Sequence, residues 1–175
     1  MNALVVYESH WGNTAAVARA IAEGLGAGAT ALTTAEATAD VLAGADLIVA
    51  GAPVMAFRLP TESILADLAA DKGKAPTPPD VSSPSMRRWL EALPSGTCPA
   101  TAFETRLRWS PGGSIKGILA GLERAGHRLL PAVKFVVAGS YGPLRDGEIE
   151  RARRWGAALA QTVGTRAPEL AGSAR

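Results

Sequence analysis

A buried strand, a polar turn and a helix follow one another within the first 25 residues, and this order constrains the fold more than any other feature. Residues 3–7 form an apolar, partly β-branched run, which is typical of a strand buried on both faces. From Ala15 onward, Val17, Ile21 and Leu25 recur every four positions, which predicts one buried face of a helix. The chain therefore begins with one strand–turn–helix unit.

The turn between this strand and this helix runs from Ser9 to Thr14 and is rich in hydroxyl and amide groups. The first N–H groups of a helix have no partner within the helix, and the helix dipole adds partial positive charge, so such a turn can bind an anion. Gly12 lets the backbone approach a ligand closely, and Ser9, Asn13 and Thr14 add possible side-chain donors. The alternative is that Ser9 or Thr14 only caps the helix. The residue types favour an anion site, and a simple helix cap remains the alternative.

Strand and helix patterns alternate along the rest of the chain. Five apolar strands separated by helices predict a parallel sheet covered on both faces, which is the α/β class. We expect one domain at residues 1–165, a disordered tail at residues 166–175 and a proline-rich loop or lid at residues 72–85. The remaining strands are predicted at residues 29–33, 47–50, 97–103 and 133–138, and the later helices at residues 36–43, 61–70, 86–93, 115–125 (capped by Ser114) and 148–163.

In open parallel sheets the ligand lies beyond the carboxyl ends of the strands. The loops predicted at that edge are residues 9–14, 53–60, 104–113 and 140–147. The second loop offers Phe57 and the third offers Trp109, so the two rings could hold a planar ligand between them. Each aromatic residue alone could instead belong to the core or to the surface, and the sequence favours neither interpretation.

Composition argues against several classes of partner. The formal net charge is only +2, and the arginines cluster on predicted helices among apolar or acidic residues, which is typical of solvated helix faces rather than a nucleic-acid site. Cys98, placed in a predicted strand, is the only cysteine, so an internal disulfide and a thiolate metal site are excluded. No segment resembles a secretion signal or a membrane span, so we expect a cytoplasmic protein.

Four familiar functional patterns are also absent. The chain has no G-x-x-x-x-G-K-[ST] phosphate loop, and the glycines at Gly26 and Gly28 follow a helix, which is the wrong order for a dinucleotide turn. Ser140 sits in a hydrolase-like Gly-Ser-Tyr-Gly sequence, but both histidines precede it, whereas a hydrolase needs its histidine afterwards. The third strand ends in Gly-Ala-Pro and lacks the carboxylate that a phosphoacceptor receiver domain requires.

Residues 5–14, Val-Val-Tyr-Glu-Ser-His-Trp-Gly-Asn-Thr, resemble the flavodoxin signature, which runs hydrophobic–aromatic–x–Ser/Thr–x–x–Gly–x–Thr. The resemblance extends over nearly the whole chain. Residues 102–106 are similar to the loop after the fourth strand in a group of flavodoxin-like proteins from high-GC bacteria. Residues 142–144, 147–152 and 155–156 are similar to the last loop and helix of that group.

This resemblance implies a flavodoxin-like three-layer sandwich with a five-stranded parallel sheet in the order 2-1-3-4-5 and non-covalently bound FMN. Ser9, Asn13 and Thr14 would bind the phosphate with backbone N–H groups of the turn, and His10 could add a donor or, when protonated, a compensating charge. Two apolar loops would flank the isoalloxazine ring. The residues that the resemblance places at the cofactor are Ser9, His10, Trp11, Gly12, Asn13, Thr14, Pro53, Val54, Met55, Ala56, Phe57, Thr105, Arg106, Trp109, Gly112 and Gly113.

The function implied is electron transfer by an FMN-binding protein, either as a carrier or as a small flavin-dependent reductase. The chain departs from acidic electron shuttles in being slightly basic, and residues 54–59 lack the glycine that many shuttles carry there. The alternatives are a non-redox module whose FMN binding is weak or lost, and an FMN enzyme that oxidises a quinone or porphyrin precursor. The expected partners are redox proteins, or NAD(P)H and quinone-type small molecules, for a monomer or homodimer.

Overall fold

A parallel β-sheet lies at the centre of the computed structural model, which describes residues 1–70 and 75–165. Its strands are β1 (Ala3–Tyr7), β2 (Ala29–Thr33), β3 (Leu47–Pro53), β4 (Pro99–Leu107), β5 (Arg128–Leu129) and β6 (Val133–Val137). The helices are α1 (Asn13–Leu25), α2 (Ala39–Leu42), α3 (Glu62–Ala70), α4 (Met86–Glu91), α5 (Ile115–Arg124) and α6 (Glu148–Gly164). None of the helices described is long and apolar enough to cross a membrane.

The order of the strands is β2-β1-β3-β4, and both β5 and β6 pair with β4 in parallel. β5 lies opposite the start of β4, at Pro99 and Ala100, whereas β6 lies opposite its second half. The α/β class and the order 2-1-3-4-5 are thus confirmed, with one correction: the fifth position is occupied by two short strands. Pro131 lies between them and has no N–H to donate to a continuous ladder.

Two apolar cores lie on the opposite faces of the sheet. Successive residues of β1 point to opposite faces, so Val5 contributes to the core beneath α1 and α6, while Val6 contributes to the core beneath α4 and α5. In the first core the buried rings of Phe103 and Phe135 meet edge to face, with centroids 6.1 Å apart. Each fully buried side chain of this size contributes about 1.5–3 kcal/mol through the apolar surface it removes from water.

Several predicted boundaries were wrong for identifiable reasons. α2 is shorter than residues 36–43, because the Glu36 carboxylate accepts hydrogen bonds from the backbone and hydroxyl of Thr33 and thereby closes a turn. β4 extends to Leu107 rather than ending at residue 103, and Cys98 lies just before it instead of within it. α1 begins at Asn13, two residues before the predicted start.

The cap of α5 was also predicted incorrectly. Ser114 occupies the N-cap position, but its hydroxyl donates to the carbonyl oxygen of Pro53 at 2.7 Å instead of capping its own helix. The carboxylate of Glu104 takes that role, because its Oε2 accepts from the backbone N–H groups of Ser114 and Ile115 at 2.7 and 3.0 Å.

The proline-rich loop has no helix or strand over residues 75–85. The first part of the predicted loop, at residues 72–74, and the predicted tail at residues 166–175 lie outside the described residues.

Candidate functional site

A cavity of about 360 Å³ lies at the carboxyl edge of the sheet, bounded by the loops that follow β1, β3, β4 and β6. Thirteen of the sixteen predicted site residues line it; Gly12, Gly112 and Gly113 do not. The prediction missed further lining residues, namely Ile64, Leu68, Leu107, Ser110, Val137, Ser140 and Tyr141. Ile64 and Leu68 belong to the helix predicted at residues 61–70, and the structure adds that they contribute to the cavity wall.

A larger cavity, of about 980 Å³, lies elsewhere in the fold and is lined by Leu42, Cys98 and His127 among others. It borders the opposite end of the sheet, where β1 and β4 begin. We place the site in the smaller cavity because ligands of open parallel sheets bind beyond the carboxyl ends of the strands, and because the free donors described next are there.

The turn after β1 presents a row of free backbone donors. None of the described backbone carbonyls accepts a hydrogen bond from the N–H groups of residues 9–14. Gly12 precedes α1 with φ of 86°, a left-handed conformation that suits glycine, and no side chain caps the helix. The Ser9 hydroxyl is buried and has no partner within residues 1–70 and 75–165. Buried polar groups are rarely left unpaired, so these donors indicate an anion that completes the turn.

Two other side chains of the turn are held by neighbouring loops. The hydroxyls of Thr14 and Thr105 lie 2.8 Å apart, so one donates to the other. The amide of Asn13 donates to the carbonyl oxygen of Tyr141 at 3.1 Å and joins α1 to the loop after β6. The hydroxyl of Thr14 can still donate to an anion if Thr105 is the donor within the pair.

The loop after β3 forms one wall as a tight hairpin turn. Met55 and Arg58 exchange backbone hydrogen bonds at 3.0 Å, and the two residues between them, Ala56 and Phe57, both have positive φ, at 45° and 66°. Such turns normally use glycine or asparagine, so this one carries backbone strain. The turn exposes 54% of Phe57 at the rim, and the loop after β4 exposes 72% of Trp109. Both aromatic residues line the cavity.

Glu104, which was placed only in a loop at the sheet edge, fixes the loop after β4. Its carboxylate is fully buried; besides capping α5, it accepts from the Arg106 guanidinium at 2.8 Å. Arg106 in turn donates to the carbonyl oxygen of Gly112 at 3.0 Å. A Cβ atom on Gly113 would lie 2.7 Å from the Glu104 carboxylate, so glycine is required for this close approach. Gly112 and Gly113 thus contribute to the conformation of the loop after β4 and do not line the cavity.

His10 and Trp11 connect the turn to the proline-rich loop. His10 Nδ1 lies 2.7 Å from the carbonyl oxygen of Asp80, and its Nε2 lies 3.2 Å from a carboxylate oxygen of Glu8. Burial lowers the pKa of His10, but the contacts with Glu8 and Asp80 outweigh it and raise the pKa above its usual value. The Trp11 indole N–H donates to Thr77 at 3.1 Å, and its ring lies edge to face against Tyr141.

No protein-family model matches this sequence, and no curated protein matches it significantly. Solved structures do match. An archaeal flavodoxin aligns with a TM-score of 0.65 and 20% identity over 94% of this chain and 99% of its own. The chain has the flavodoxin-like fold. Flavodoxin 1 from Bacillus cereus aligns at 0.64 with 16% identity over 92% and 98%, and a WrbA-like flavodoxin from Agrobacterium tumefaciens aligns at 0.58 with 19% identity over 94% and 98%.

The donor set and the apolar walls together fit a ligand that joins a phosphate to a planar ring. A phosphate would find the N–H groups of the turn and the Ser9 hydroxyl, while a planar ring would find apolar walls near Val54, Phe57 and Trp109. Among the described residues, the lining carries no carboxylate side chain and one guanidinium, from Arg106, so this part of the wall does not repel a negatively charged ligand. Within the described ranges no three histidine, cysteine or acidic side chains gather as they would around a metal ion.

Proposed function

We propose that this chain binds FMN non-covalently at the carboxyl edge of its sheet and serves in electron transfer. The observation that carries the proposal is the turn of residues 9–14, whose backbone donors and buried Ser9 hydroxyl find no partner in the part of the chain that the structure describes. A phosphate is the anion that best fits a row of N–H groups at a helix start. The fold is consistent with this, since the flavodoxins that it resembles share the same strand order.

FMN itself would supply the redox chemistry, by accepting and giving up electrons at its ring system. The protein's contribution would be to bind, orient and shield. Thr14 and the turn would hold the phosphate, Val54 and Met55 would cover the ring edge, and the exposed rings of Phe57 and Trp109 would stack on it. The pair of Glu104 and Arg106 would keep the loop after β4 in the shape that presents Trp109.

The finer role is either a carrier for redox proteins or a reductase that uses NAD(P)H and quinone-type molecules. The near-neutral charge of the chain and the absence of acidic side chains from the described part of the lining favour the reductase, because a carrier that docks on basic partners uses negative surface charge to do so. We propose this activity in the cytoplasm. Steady-state oxidation of NADPH with a quinone by the purified FMN-loaded protein would support a reductase. A requirement for a separate reductase protein would indicate a carrier.

Titration with two flavins tests the binding proposal. FMN and riboflavin share the ring, but only FMN carries the phosphate. The dissociation constant measured by quenching of flavin fluorescence should therefore be lower for FMN than for riboflavin. The double variant Ser9→Ala/Thr14→Val should weaken FMN binding by about 100-fold, on the scale of two lost hydrogen bonds to a charged group. Riboflavin binding should change by less than about threefold.

The matched control is Ser63→Ala/Thr162→Val, which removes the same groups from exposed positions on α3 and α6. It should leave both dissociation constants unchanged. Equal weakening of FMN and riboflavin by the Ser9 and Thr14 substitutions would refute the phosphate assignment. A wild-type protein that quenches neither flavin would instead support the non-redox module.

A further inference from the structure

The residues on either side of Ser9 form a buried ion pair, of which Glu8 has been given no part in the binding of FMN. Glu8 and His10 are 4% and 6% exposed, and Nε2 of His10 lies 3.2 Å from Oε1 of Glu8. The other carboxylate oxygen of Glu8 accepts from the backbone N–H of Met86 at 2.9 Å, at the start of α4. The other ring nitrogen of His10 faces the carbonyl oxygen of Asp80 at 2.7 Å.

Nδ1 of His10 is thus within hydrogen-bond distance of a carbonyl oxygen, whereas Nε2 lies at ion-pair distance from Oε1 without hydrogen-bond alignment, and neither of these last two atoms has another partner among the described residues. A neutral imidazole has only one N–H, so it could satisfy one of the two contacts and would set a lone pair against the other oxygen. A proton on each ring nitrogen lets Nδ1 donate to the Asp80 carbonyl oxygen and turns the 3.2 Å contact between Nε2 and Oε1 into an ion pair. With this second proton, which we call the shared proton, the pair of Glu8 and His10 is neutral as a whole.

The surrounding charges are fixed over the pH range in which a histidine titrates. A cavity of about 210 Å³ beside the pair is lined by Arg19 from α1, Asp80 from the proline-rich loop and the Tyr7 phenol from β1. Hydrogen bonds from Ser82 hold the pKa of Asp80 below its usual value, so this carboxylate stays ionised, and arginine keeps its charge. Tyr141, from the loop after β6, reaches this region through its contact with Trp11. The shared proton of Glu8 and His10 is then the charge that changes.

We propose that Glu8 and His10 are positioning residues of the phosphate turn, and that loss of their shared proton to solvent weakens the binding of a flavin that carries a phosphate. The inference rests on the proposed FMN site.

Loss of the proton has two physical effects on the turn. The pair acquires a net negative charge next to Ser9, which repels the phosphate group of FMN. The lone pairs of Nε2 and Oε1, 3.2 Å apart, also repel each other and push the His10 ring away from its contact with Asp80. Asp80 donates its own backbone N–H to the carbonyl oxygen of His10 at 2.9 Å, so this movement disturbs the backbone of the turn as well.

The test compares pH profiles of flavin binding in the wild type and in the double variant Glu8→Gln/His10→Asn, whose pair cannot titrate. The FMN phosphate itself gains charge near pH 6, but this affects both proteins equally, so the ratio of their dissociation constants isolates the pair. Between about pH 6 and pH 9 the wild type should lose about tenfold in FMN affinity relative to the double variant, on the scale of one added charge. The same ratio for riboflavin should stay constant.

The single variant His10→Asn removes the imidazolium that offsets the charge of Glu8, so its FMN affinity should be low over the whole pH range of the comparison. If the ratio of the FMN dissociation constants of the wild type and the double variant stayed the same between the two pH values, the proposal would be overturned. If the wild type bound riboflavin and FMN equally at both pH values, the proposed phosphate site itself would be refuted. A constant ratio together with preferential binding of FMN would refute only the role of Glu8 and His10.

A second measurement needs no variant. Nitrogen NMR of wild-type protein labelled at histidine should show both ring nitrogens of His10 protonated near neutral pH. Because linkage is reciprocal, saturating FMN should raise the titration midpoint of the pair by about one pH unit for a tenfold coupling. A midpoint that FMN leaves unchanged would overturn the proposal even if the double variant failed to fold.

Discussion

Replacement of Glu104 by glutamine is the sharpest test of how the loop after β4 is held. The carboxylate is fully buried and accepts three hydrogen bonds, from Ser114 N at 2.7 Å, Ile115 N at 3.0 Å and Arg106 Nη1 at 2.8 Å. A glutamine oxygen can keep the two backbone bonds without the charge. Its NH₂ group, however, must face the Arg106 guanidinium, so two donors oppose each other.

The expected cost follows from this geometry. Removal of one partner from a buried ion pair costs about 3–5 kcal/mol. The Arg106 side chain is 10% exposed and keeps the carbonyl oxygen of Gly112 as a partner, so we expect the lower end, about 3 kcal/mol. For a chain of this length that corresponds to a decrease of roughly 6–12 °C in Tm.

Urea unfolding followed by circular dichroism measures the effect, with Glu23→Gln as the matched control. Glu23 also pairs with an arginine, Arg153, at 2.7 Å, but both side chains are exposed, so its loss should barely change the free energy of unfolding. The double variant Glu104→Gln/Arg106→Gln should recover part of the loss, because the unpaired guanidinium is gone. A Glu104→Gln protein within about 1 kcal/mol of the wild type would refute the assigned role of this carboxylate.

Three further perturbations address the strained turn, the buried histidine and the exposed ring. Ala56→Gly should stabilise the protein by up to about 1 kcal/mol, because glycine adopts a positive φ without strain. Ala66→Gly within α3 should destabilise the protein by about as much. If urea unfolding gave the same change in unfolding free energy for both variants, the turn at Ala56 would not be strained. The pKa of His10 is raised in the folded protein, so its stabilising contribution is complete below about pH 6.5 and is lost as pH rises through the folded-state pKa. The difference in unfolding free energy between the wild type and His10→Asn should therefore shrink towards high pH. A difference that stays constant with pH would contradict the raised pKa. Trp109→Ala should weaken FMN and riboflavin equally, by about tenfold in fluorescence titrations, since both share the ring, and selective loss of FMN would contradict stacking.

The sequence predicts the framework of this fold because the framework depends on local patterns. The buried run of β1 and the four-residue spacing of α1 are adjacent in the chain, and β2 matches residues 29–33 at both ends. β5 was missed because two residues, Arg128 and Leu129, are too few to show a period.

The details of the site depend on contacts that are distant in the sequence. The predicted strand ends at residue 103, before Glu104, but Glu104 lies in β4 because the backbone N–H groups of Ser114 and Ile115 donate to its buried carboxylate. His10 faces Asp80, 70 positions away, and Thr14 meets Thr105, 91 positions away. No periodicity marks such pairs, so the sequence predicts that the loops of Thr14 and Thr105 share one edge of the sheet, but it predicts neither the contact with the proline-rich loop nor the side chains that bond.

The central claim is that the turn of residues 9–14 binds a phosphate and thereby holds a flavin across the carboxyl edge of the sheet. A crystal structure of the protein grown with excess FMN tests it most directly. We expect the phosphate within hydrogen-bond distance of the Ser9 hydroxyl and of the backbone N–H groups from Ser9 to Thr14, with the ring between Phe57 and Trp109. The claim would be contradicted if FMN bound elsewhere on the protein. It would also be contradicted if no phosphate contacted the N–H groups of the turn although the crystal had been grown with excess FMN.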